Sequence, residues 1–402
     1  MRDNVKIMTG NEAAAVGVKL VRPHVIAAYP ITPQTKLAEM LAEYVENGEL
    51  ESEYVRVESE HSSLTVCIAA SAVGARVFTA TSSNGLLYMH EQLHWAAGSR
   101  VPVVMCCVNR GVGAPWSIFN DQQDSFSQRD TGWIQLYCRN NQEIIDTVIQ
   151  AYRIAEQVYV PVMVCYDGFI LSHTKMPVAI PAEEDVSRYL PPFTPARPLV
   201  PEDPITINPV FFPWRRDNAD GVSCDGYMDM RLKLDKAIND ARQTIQEADR
   251  EFGECFNRTY GGLVWDYRND DADVTLVSMG SLASEATVAV DMLREMGVSA
   301  GVVALRSYRP FPKEELRSLL GGKTAVIVFE KCMSYGNGGG FSSEIKTALY
   351  GMPDVPPCHN VIAGLGGRNV TPADIAEAVT TARRSIDGGL FEETYWLGCD
   401  RN

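Results

Sequence analysis

Nowhere in these 402 residues does an apolar run reach the roughly 18 that a membrane-spanning helix needs. Basic charge is scarce as well: 36 Lys and Arg face 51 Asp and Glu, a net charge of −15. Nucleic acid and an anionic membrane surface both call for a basic stripe, so neither is expected as a partner. A solvated acidic surface is the simple reading. Met1-Arg2-Asp3-Asn4-Val5-Lys6 leads into Ala13–Ala15 with Glu12 beside them. That is not the charge-free apolar core of a signal peptide, and a cytoplasmic location is expected. The ten cysteines include no C-x-x-C pair and no zinc-site or ferredoxin spacing. No metal and no iron–sulfur cluster is therefore expected on this chain. Several cysteines, among them Cys106, Cys107 and Cys165, lie in apolar runs where a free thiol is a small hydrophobe. Low-complexity tracts and fixed-period repeats are also missing.

What is present is β/α alternation. Strand-like runs at His24–Tyr29, Tyr54–Glu58, Arg76–Ala80, Val101–Val108, Ile134–Tyr137 and Val162–Asp167 are separated by helix-length stretches, 33–47, 61–73, 85–98 and 141–157. Runs rich in Val and Ile without alternation point to a parallel sheet covered on both faces. Such sheets bind ligands at the carboxyl ends of their strands. Ten prolines punctuate the stretch from 176 to 260 (177, 181, 191, 192, 195, 198, 201, 204, 209 and 213), which predicts a surface linker ending in one charged helix at about Met228–Phe252. A second β/α unit follows, with strands at Asp273–Met279, Ala300–Arg306, Thr324–Glu330 and His359–Ala363. The fold class expected is α/β, with two doubly wound parallel-sheet domains.

Four segments carry chemistry-bearing residues, most of them just after a strand. Tyr29-Pro30-Ile31-Thr32-Pro33-Gln34-Thr35 pins Thr32 near two prolines, with Pro33 suited to a first helical turn; by itself Thr32 reads as a helix N-cap. Val57-Glu58-Ser59-Glu60-His61 bunches two carboxylates and a histidine at a strand-to-helix junction, where one glutamate alone would be a helix-dipole charge. Asn109-Arg110-Gly111-Val112-Gly113-Ala114-Pro115 brings an arginine out of a buried strand. That arginine either grips a carboxylate in a bidentate pair or ties down loop carbonyls. The fourth segment is Ile118-Phe119-Asn120-Asp121-Gln122-Gln123-Asp124, followed by Ser127-Gln128-Arg129-Asp130-Thr131-Gly132-Trp133.

Together with Asp167-Gly168-Phe169-Ile170-Leu171-Ser172-His173, Tyr308-Arg309-Pro310-Phe311-Pro312, Phe329-Glu330-Lys331 and Gly364-Leu365-Gly366-Gly367-Arg368-Asn369-Val370-Thr371, these segments span nearly the whole chain. In order and spacing they resemble the alpha, pyrimidine-binding chain of the 2-oxoacid:ferredoxin oxidoreductases, best known from split-subunit pyruvate:ferredoxin oxidoreductase. The resemblance implies a pyrimidine-binding domain for thiamine pyrophosphate at 1–180, a linker at 181–262 and a transketolase C-terminal-like domain at 263–402. It implies oxidative decarboxylation of a 2-oxo acid to acyl-CoA and CO2. Glu60 matches the glutamate on the aminopyrimidine ring, with Glu58 its rival on proximity and Pro30 and Ile31 lining the cofactor. Arg110 and Thr32 match the residues that hold the substrate carboxylate.

The chain has no Gly-Asp-Gly; Tyr166-Asp167-Gly168 and Cys224-Asp225-Gly226 come nearest. The resemblance therefore assigns Mg²⁺ and the diphosphate to a beta subunit, and the iron–sulfur (4Fe–4S) clusters to that chain and a ferredoxin-like subunit. A gamma-type subunit is also expected, with coenzyme A as co-substrate. The sequence departs from the pattern of pyruvate enzymes after the arginine: Gly111-Val112-Gly113-Ala114-Pro115 stands where Ala-Leu-Ser-Ala-Pro is usual. Val112 and Gly113 are either a substrate pocket enlarged for a bulkier acid such as phenylglyoxylate, or drift in loop packing. Two other functions stay open, a non-oxidative transketolase- or decarboxylase-type subunit and a catalytically silent interaction subunit.

Overall fold

A computed structural model of the chain describes residues 4–195, 216–217, 223–224, 226–387 and 394–399. Two sheets dominate. The first has seven strands in the order Ser307–Arg309, Ile134–Tyr137, Val162–Asp167, Val103–Asn109, Val77–Thr81, Val25–Ala28, Glu53–Arg56. All pair in parallel except Ser307–Arg309, which runs antiparallel at one edge. The chain passes from Val25–Ala28 outward to Glu53–Arg56, then returns to the other side of Val25–Ala28 for the remaining strands. That reversal opens a crevice at the strands' carboxyl ends, where α/β sheets bind ligands.

The second sheet has six strands: Val264–Tyr267, Ala300–Leu305, Val274–Met279, Ala325–Glu330, Cys358–Ile362 and Thr394–Trp396. Only Val264–Tyr267 is antiparallel. The central strands of both sheets are buried throughout, with Val103–Asn109, Val162–Asp167, Val274–Met279 and Ala325–Glu330 showing no exposed position. This is the continuous apolar pattern that helices on both faces require. Both units are α/β, as the sequence leads one to expect, but each ends in an antiparallel edge strand. Ser307–Arg309 lies in the second half of the sequence and joins the first sheet, so the halves share backbone hydrogen bonds.

Helix starts follow local chemistry. Thr9 caps Gly10–Val21 in a box, its hydroxyl accepting from Glu12 N while Glu12 Oε2 accepts from Thr9 N at 2.7 Å. Asn140 caps Asn141–Val158 by accepting from Glu143 N at 2.9 Å. These two helices pack together, and Gly17 lets them approach: a Cβ there would lie 3.1 Å from Ile145 O. The helix expected over 85–98 is two, Ser83–Tyr88 and His90–Gly98. The charged helix runs longer than expected, Tyr227–Phe256.

The proline-rich stretch holds more regular structure than its composition predicts. Met176–Ile180 pairs antiparallel with Asn4–Met8, and Glu183–Tyr189 is helical. Pro177 is tolerated because this is a two-stranded ribbon, where few ladder bonds depend on its missing N–H. Pro198, Pro201, Pro204, Pro209 and Pro213 lie outside the described residues. Among the described residues no helix is long and apolar enough to cross a membrane.

The halves also meet where Phe126 packs against the start of helix Gly340–Leu349. A Cβ on Gly340 would lie 2.0 Å from the Phe126 ring. Gly340→Ala should therefore lower stability by the ~1–3 kcal/mol of an overpacked core site. Gly322→Ala, where a Cβ meets nothing within 4 Å, tests only the cost of a positive φ. Thermal unfolding of both variants checks this, and equal melting temperatures would contradict the packing argument.

Candidate active site

The loops that follow four adjacent parallel strands converge at the crevice. After Glu53–Arg56 comes Ser59, whose hydroxyl accepts from Ser62 N at 3.2 Å and starts helix Glu60–Ala72. Glu60 thus stands in the first turn, where the helix dipole favours a carboxylate. It is 8% exposed. Gly85, in helix Ser83–Tyr88 just after strand Val77–Thr81, lies against it. A Cβ on Gly85 would be 2.6 Å from both Glu60 Oε1 and Thr81 Oγ1. The buried hydroxyls of Thr81 and Ser82 have no hydrogen-bond partner among the described residues, and neither does the Glu60 carboxylate. Buried polar groups are normally paired, so the unpaired Thr81 and Ser82 hydroxyls are an exception that calls for a reason.

Glu58 sits differently. It is exposed and accepts a hydrogen bond from the Ser62 hydroxyl, which holds its carboxyl below the usual range. His61 turns toward Glu91 and Gln92, its Nε2 3.5 and 3.1 Å from them.

Arg110 emerges buried from Val103–Asn109. Its Nη1 donates to Thr32 O at 2.8 Å, its Nε to Ser117 O at 3.2 Å, and Trp116 covers the guanidinium at 5.4 Å. The arginine does tie down loop carbonyls. Nη2 donates to none of the described residues, so one arm of the fork is left for a ligand. Burial pulls its pKa below the ordinary arginine value, but an arginine stays charged throughout the physiological range.

Thr32 is exposed and is not a helix cap: helix Thr35–Glu46 begins after Gln34, which makes no side-chain cap. Pro33 lies in the turn before the helix rather than in its first turn, and the Thr32–Pro33 peptide is cis. That turn is fastened by Asn11 Nδ2 to Pro33 O at 2.8 Å and Gln34 Nε2 to Tyr29 O at 2.9 Å. Pro30 is exposed and Ile31 half-buried beside it.

The structure therefore brings Thr32 and Arg110 into contact and sets Glu60 at the neighbouring strand end. Val112 is half-buried in the same loop. Gly113 is exposed at φ +74°, its N–H donating to Asn84 Oδ1, and a Cβ there would meet nothing within 4 Å. The backbone conformation alone accounts for that glycine.

The second sheet closes the crevice from the other side. Asp167 accepts from Ser281 N at 2.7 Å, from Ser281 Oγ, from Lys331 Nζ at 3.3 Å and from Gln122 Nε2 at 3.2 Å. Gln122 N donates to Lys331 O at 2.8 Å, and Gly367 N donates to Asn120 O at 2.7 Å. Phe119, Phe169 and His173 form an aromatic row, with ring centroids 5.0 and 4.7 Å apart. Phe169 takes φ +60°, a strained value for a bulky residue and one that clusters at functional sites.

Two family models match this chain. Residues 16–237 match the pyruvate flavodoxin/ferredoxin oxidoreductase thiamine-diphosphate-binding family, and residues 272–375 match pyruvate:ferredoxin oxidoreductase core domain II. The pyruvate synthase subunit PorA of Methanothermobacter thermautotrophicus is 45% identical, over 97% of this chain and 99% of its own. The ketoisovalerate oxidoreductase subunit VorA of Pyrococcus abyssi is 44% identical, over 98% of both. The chain belongs to the 2-oxoacid:ferredoxin oxidoreductase family. Among solved structures, 2-oxoglutarate:ferredoxin oxidoreductase from Magnetococcus marinus superposes with a TM-score of 0.73 at 22% identity, covering 94% of this chain and 65% of that one. A split-gene transketolase superposes at 0.53 with 16% identity, covering 93% and 98%. These two show the shared fold.

Thr81 and Gly85 carried no signal in the sequence, and Asp121 and Asp124 appeared there only within a longer polar segment, with no role of their own. Only the fold shows which atoms they meet. Burial, and then the charge of Asp124, raise the Asp121 carboxyl to about 7. A carboxyl raised in the folded state favours its neutral form there. Its contribution to stability is present below the ordinary carboxyl range and is lost as pH rises through about 7. Asp121→Asn should therefore gain melting temperature relative to the parent at pH 8 and not at pH 4. A difference that stays constant across this range would contradict the assignment.

Proposed function

We propose that this chain supplies the pyrimidine half of a thiamine-pyrophosphate site and the carboxylate grip for a 2-oxo acid, in an enzyme that oxidatively decarboxylates that acid to acyl-CoA and CO2. The carrying observation is Glu60: a buried carboxylate at a helix start, without a partner among the described residues, with the orphaned Thr81 hydroxyl and Gly85 beside it. That donor and acceptor set fits an aminopyrimidine ring. When bound, the cofactor acts as the electron sink for decarboxylation. Glu60 would hold the ring nitrogen and share a proton with it. Arg110 would pair the substrate carboxylate with its remaining arm, and the Thr32 hydroxyl would donate beside it. Pro30 and Ile31, fixed by the Gln34 and Asn11 contacts, would wall the cofactor. The domain division 1–180, 181–262 and 263–402 belongs to this reading.

Mg²⁺, the diphosphate and the iron–sulfur clusters belong, in this reading, to partner subunits of beta, ferredoxin-like and gamma type. Two features support that: the chain lacks Gly-Asp-Gly, and its relatives carry subunit names. A bulkier acid than pyruvate, branched or aryl, is favoured by Val112, by Trp116 over Arg110, and by the Phe119–Phe169 wall.

Glu60→Gln in the assembled complex should slow hydrogen–deuterium exchange at thiazolium C2 by ~10²–10⁴-fold, the usual loss for an acid–base group. Glu58→Gln should leave it near the parent rate. The reverse pattern would move the role to Glu58. Arg110→Ala should raise KM for every 2-oxo acid by the equivalent of about 2–5 kcal/mol, the cost of breaking a desolvated charge pair. Val112→Leu should instead discriminate, hurting phenylglyoxylate or 2-oxoisovalerate more than pyruvate. Equal loss on small and large acids would remove the case for a bulky substrate.

A further inference from the structure

Asp124 is fully buried, and both its oxygens are occupied by N–H donors. Oδ1 accepts from Asn109 Nδ2 and Ser125 N, both at 2.8 Å; Oδ2 accepts from Ser83 N at 2.9 Å and Arg110 N at 3.0 Å. Among the described residues no lysine or arginine side chain pairs with it: Lys331 goes to Asp167, and the Arg110 guanidinium points to Thr32 O and Ser117 O. A buried carboxylate answered only by neutral dipoles is costly, and a purely structural acceptor would not need the charge. What the charge does is gather main-chain groups from two strand ends. Ser83 follows Val77–Thr81 and takes φ +51°, a conformation a serine adopts only when its surroundings hold it. Its hydroxyl also donates to Gly111 O. Two residues on, Gly85 lies against the Glu60 carboxyl.

We infer that Asp124 is a positioning residue that sets the Glu60 pocket and the Arg110 carboxylate grip in register, through Ser83 N on one side and Arg110 N on the other. The inference rests on the roles of Glu60 and Arg110 proposed above. No other side chain among the described residues hydrogen-bonds both of these main-chain N–H groups. An asparagine cannot substitute, because its amide end would face two N–H donors where the carboxylate offers two acceptors.

The test uses Asp124→Asn in the complex assembled with its partner chains. Gly301→Ala is the destabilised control, at the amino end of strand Ala300–Leu305, where a Cβ would lie 2.7 Å from Arg268 O. Three quantities are read: amide exchange by mass spectrometry, C2 exchange on bound thiamine pyrophosphate, and KM for a 2-oxo acid. Losing one hydrogen bond to a charged acceptor is worth about tenfold at the low end of its range. Asp124→Asn should therefore speed amide exchange of 82–86 and 110–113, slow C2 exchange and raise KM, each by about tenfold or more, while Gly301→Ala moves none of the three. Parent-like values in Asp124→Asn, or changes shared with Gly301→Ala, would overturn the inference. Should Asp124→Asn fail to assemble, Asp124→Glu decides: it keeps the charge but moves both acceptors by a methylene off the Ser83 N and Arg110 N contacts, and unchanged C2 exchange and KM in that variant would overturn the inference equally. A parent complex that shows no C2 exchange at all would instead remove the functional reading beneath it.

Discussion

At the carboxyl end of Val162–Asp167 one buried carboxylate collects Ser281 N and Oγ, Lys331 Nζ and Gln122 Nε2, and the facing of the two sheets depends on it. Ser281 follows one strand of the second sheet and Lys331 another, so a single acceptor fixes two of its loop starts against the first sheet. Buried ion pairs contribute little net stability against apolar alternatives, yet breaking one by removing a partner is strongly destabilising. Asp167 and Lys331 therefore act chiefly as a registration device. The sequence places them 164 residues apart, and the crevice exists because they meet.

Registration there has a consequence for the loop 110–124. It leaves the first sheet at Arg110 and is caught by the second sheet at Asn120 and Gln122, through Gly367 N and Lys331 O. In between it carries Val112, Trp116 and Phe119. Its far end returns Asp124 to the base of the strand it left, two hydrogen bonds from Arg110 N and Ser83 N. A segment clamped at both ends presents its middle rigidly without a helix or strand of its own. This is how a loop holds functional side chains to the tolerance that chemistry needs.

Much of this was legible beforehand, for identifiable reasons. Buried parallel strands read as unbroken Val and Ile runs, and Ile134–Tyr137 and Val162–Asp167 fall on the expected residues. Arg110 and Glu60 stood out because a charge at the end of an apolar run is conspicuous. Ser307–Arg309 was hidden because its pairing with Ile134–Tyr137 is long-range and three residues carry no periodicity. The break at Met89 was hidden because Leu86, Leu87 and Leu93 keep a helical apolar pattern across it. Asp124 was visible only as one of several polar residues in its segment, because an aspartate in the first turn of a short helix looks solvated until both its oxygens are seen buried. The positive φ at Ser83 and Phe169 leaves no compositional mark, since neither is a residue that favours that region.

The same geometry explains why overall similarity is a poor guide to the side chain of the substrate. A 2-oxo acid offers every enzyme of this kind the same carboxylate and oxo group, and the residues proposed to hold that carboxylate, Arg110 and Thr32, follow strand ends fixed by the sheet, as does Glu60, proposed to hold the cofactor ring. Relatives named for pyruvate and for ketoisovalerate are therefore almost equally similar to this chain, at 45% and 44%. In the proposed site the variable part of the acid would point away from the fixed strand ends, toward the span of loop between its two clamps. There Gly113 answers to its backbone conformation rather than to a ligand, which removes it from any argument about pocket volume. Val112, Trp116 and Phe119 remain, and Phe119 is braced by Phe169, itself held in a strained conformation. Discrimination among acids would then rest on a few apolar contacts, where one methylene is worth only about 1–3 kcal/mol. A site built as proposed would tolerate neighbouring substrates, and small changes within the loop would shift its preference without disturbing the fixed strand ends.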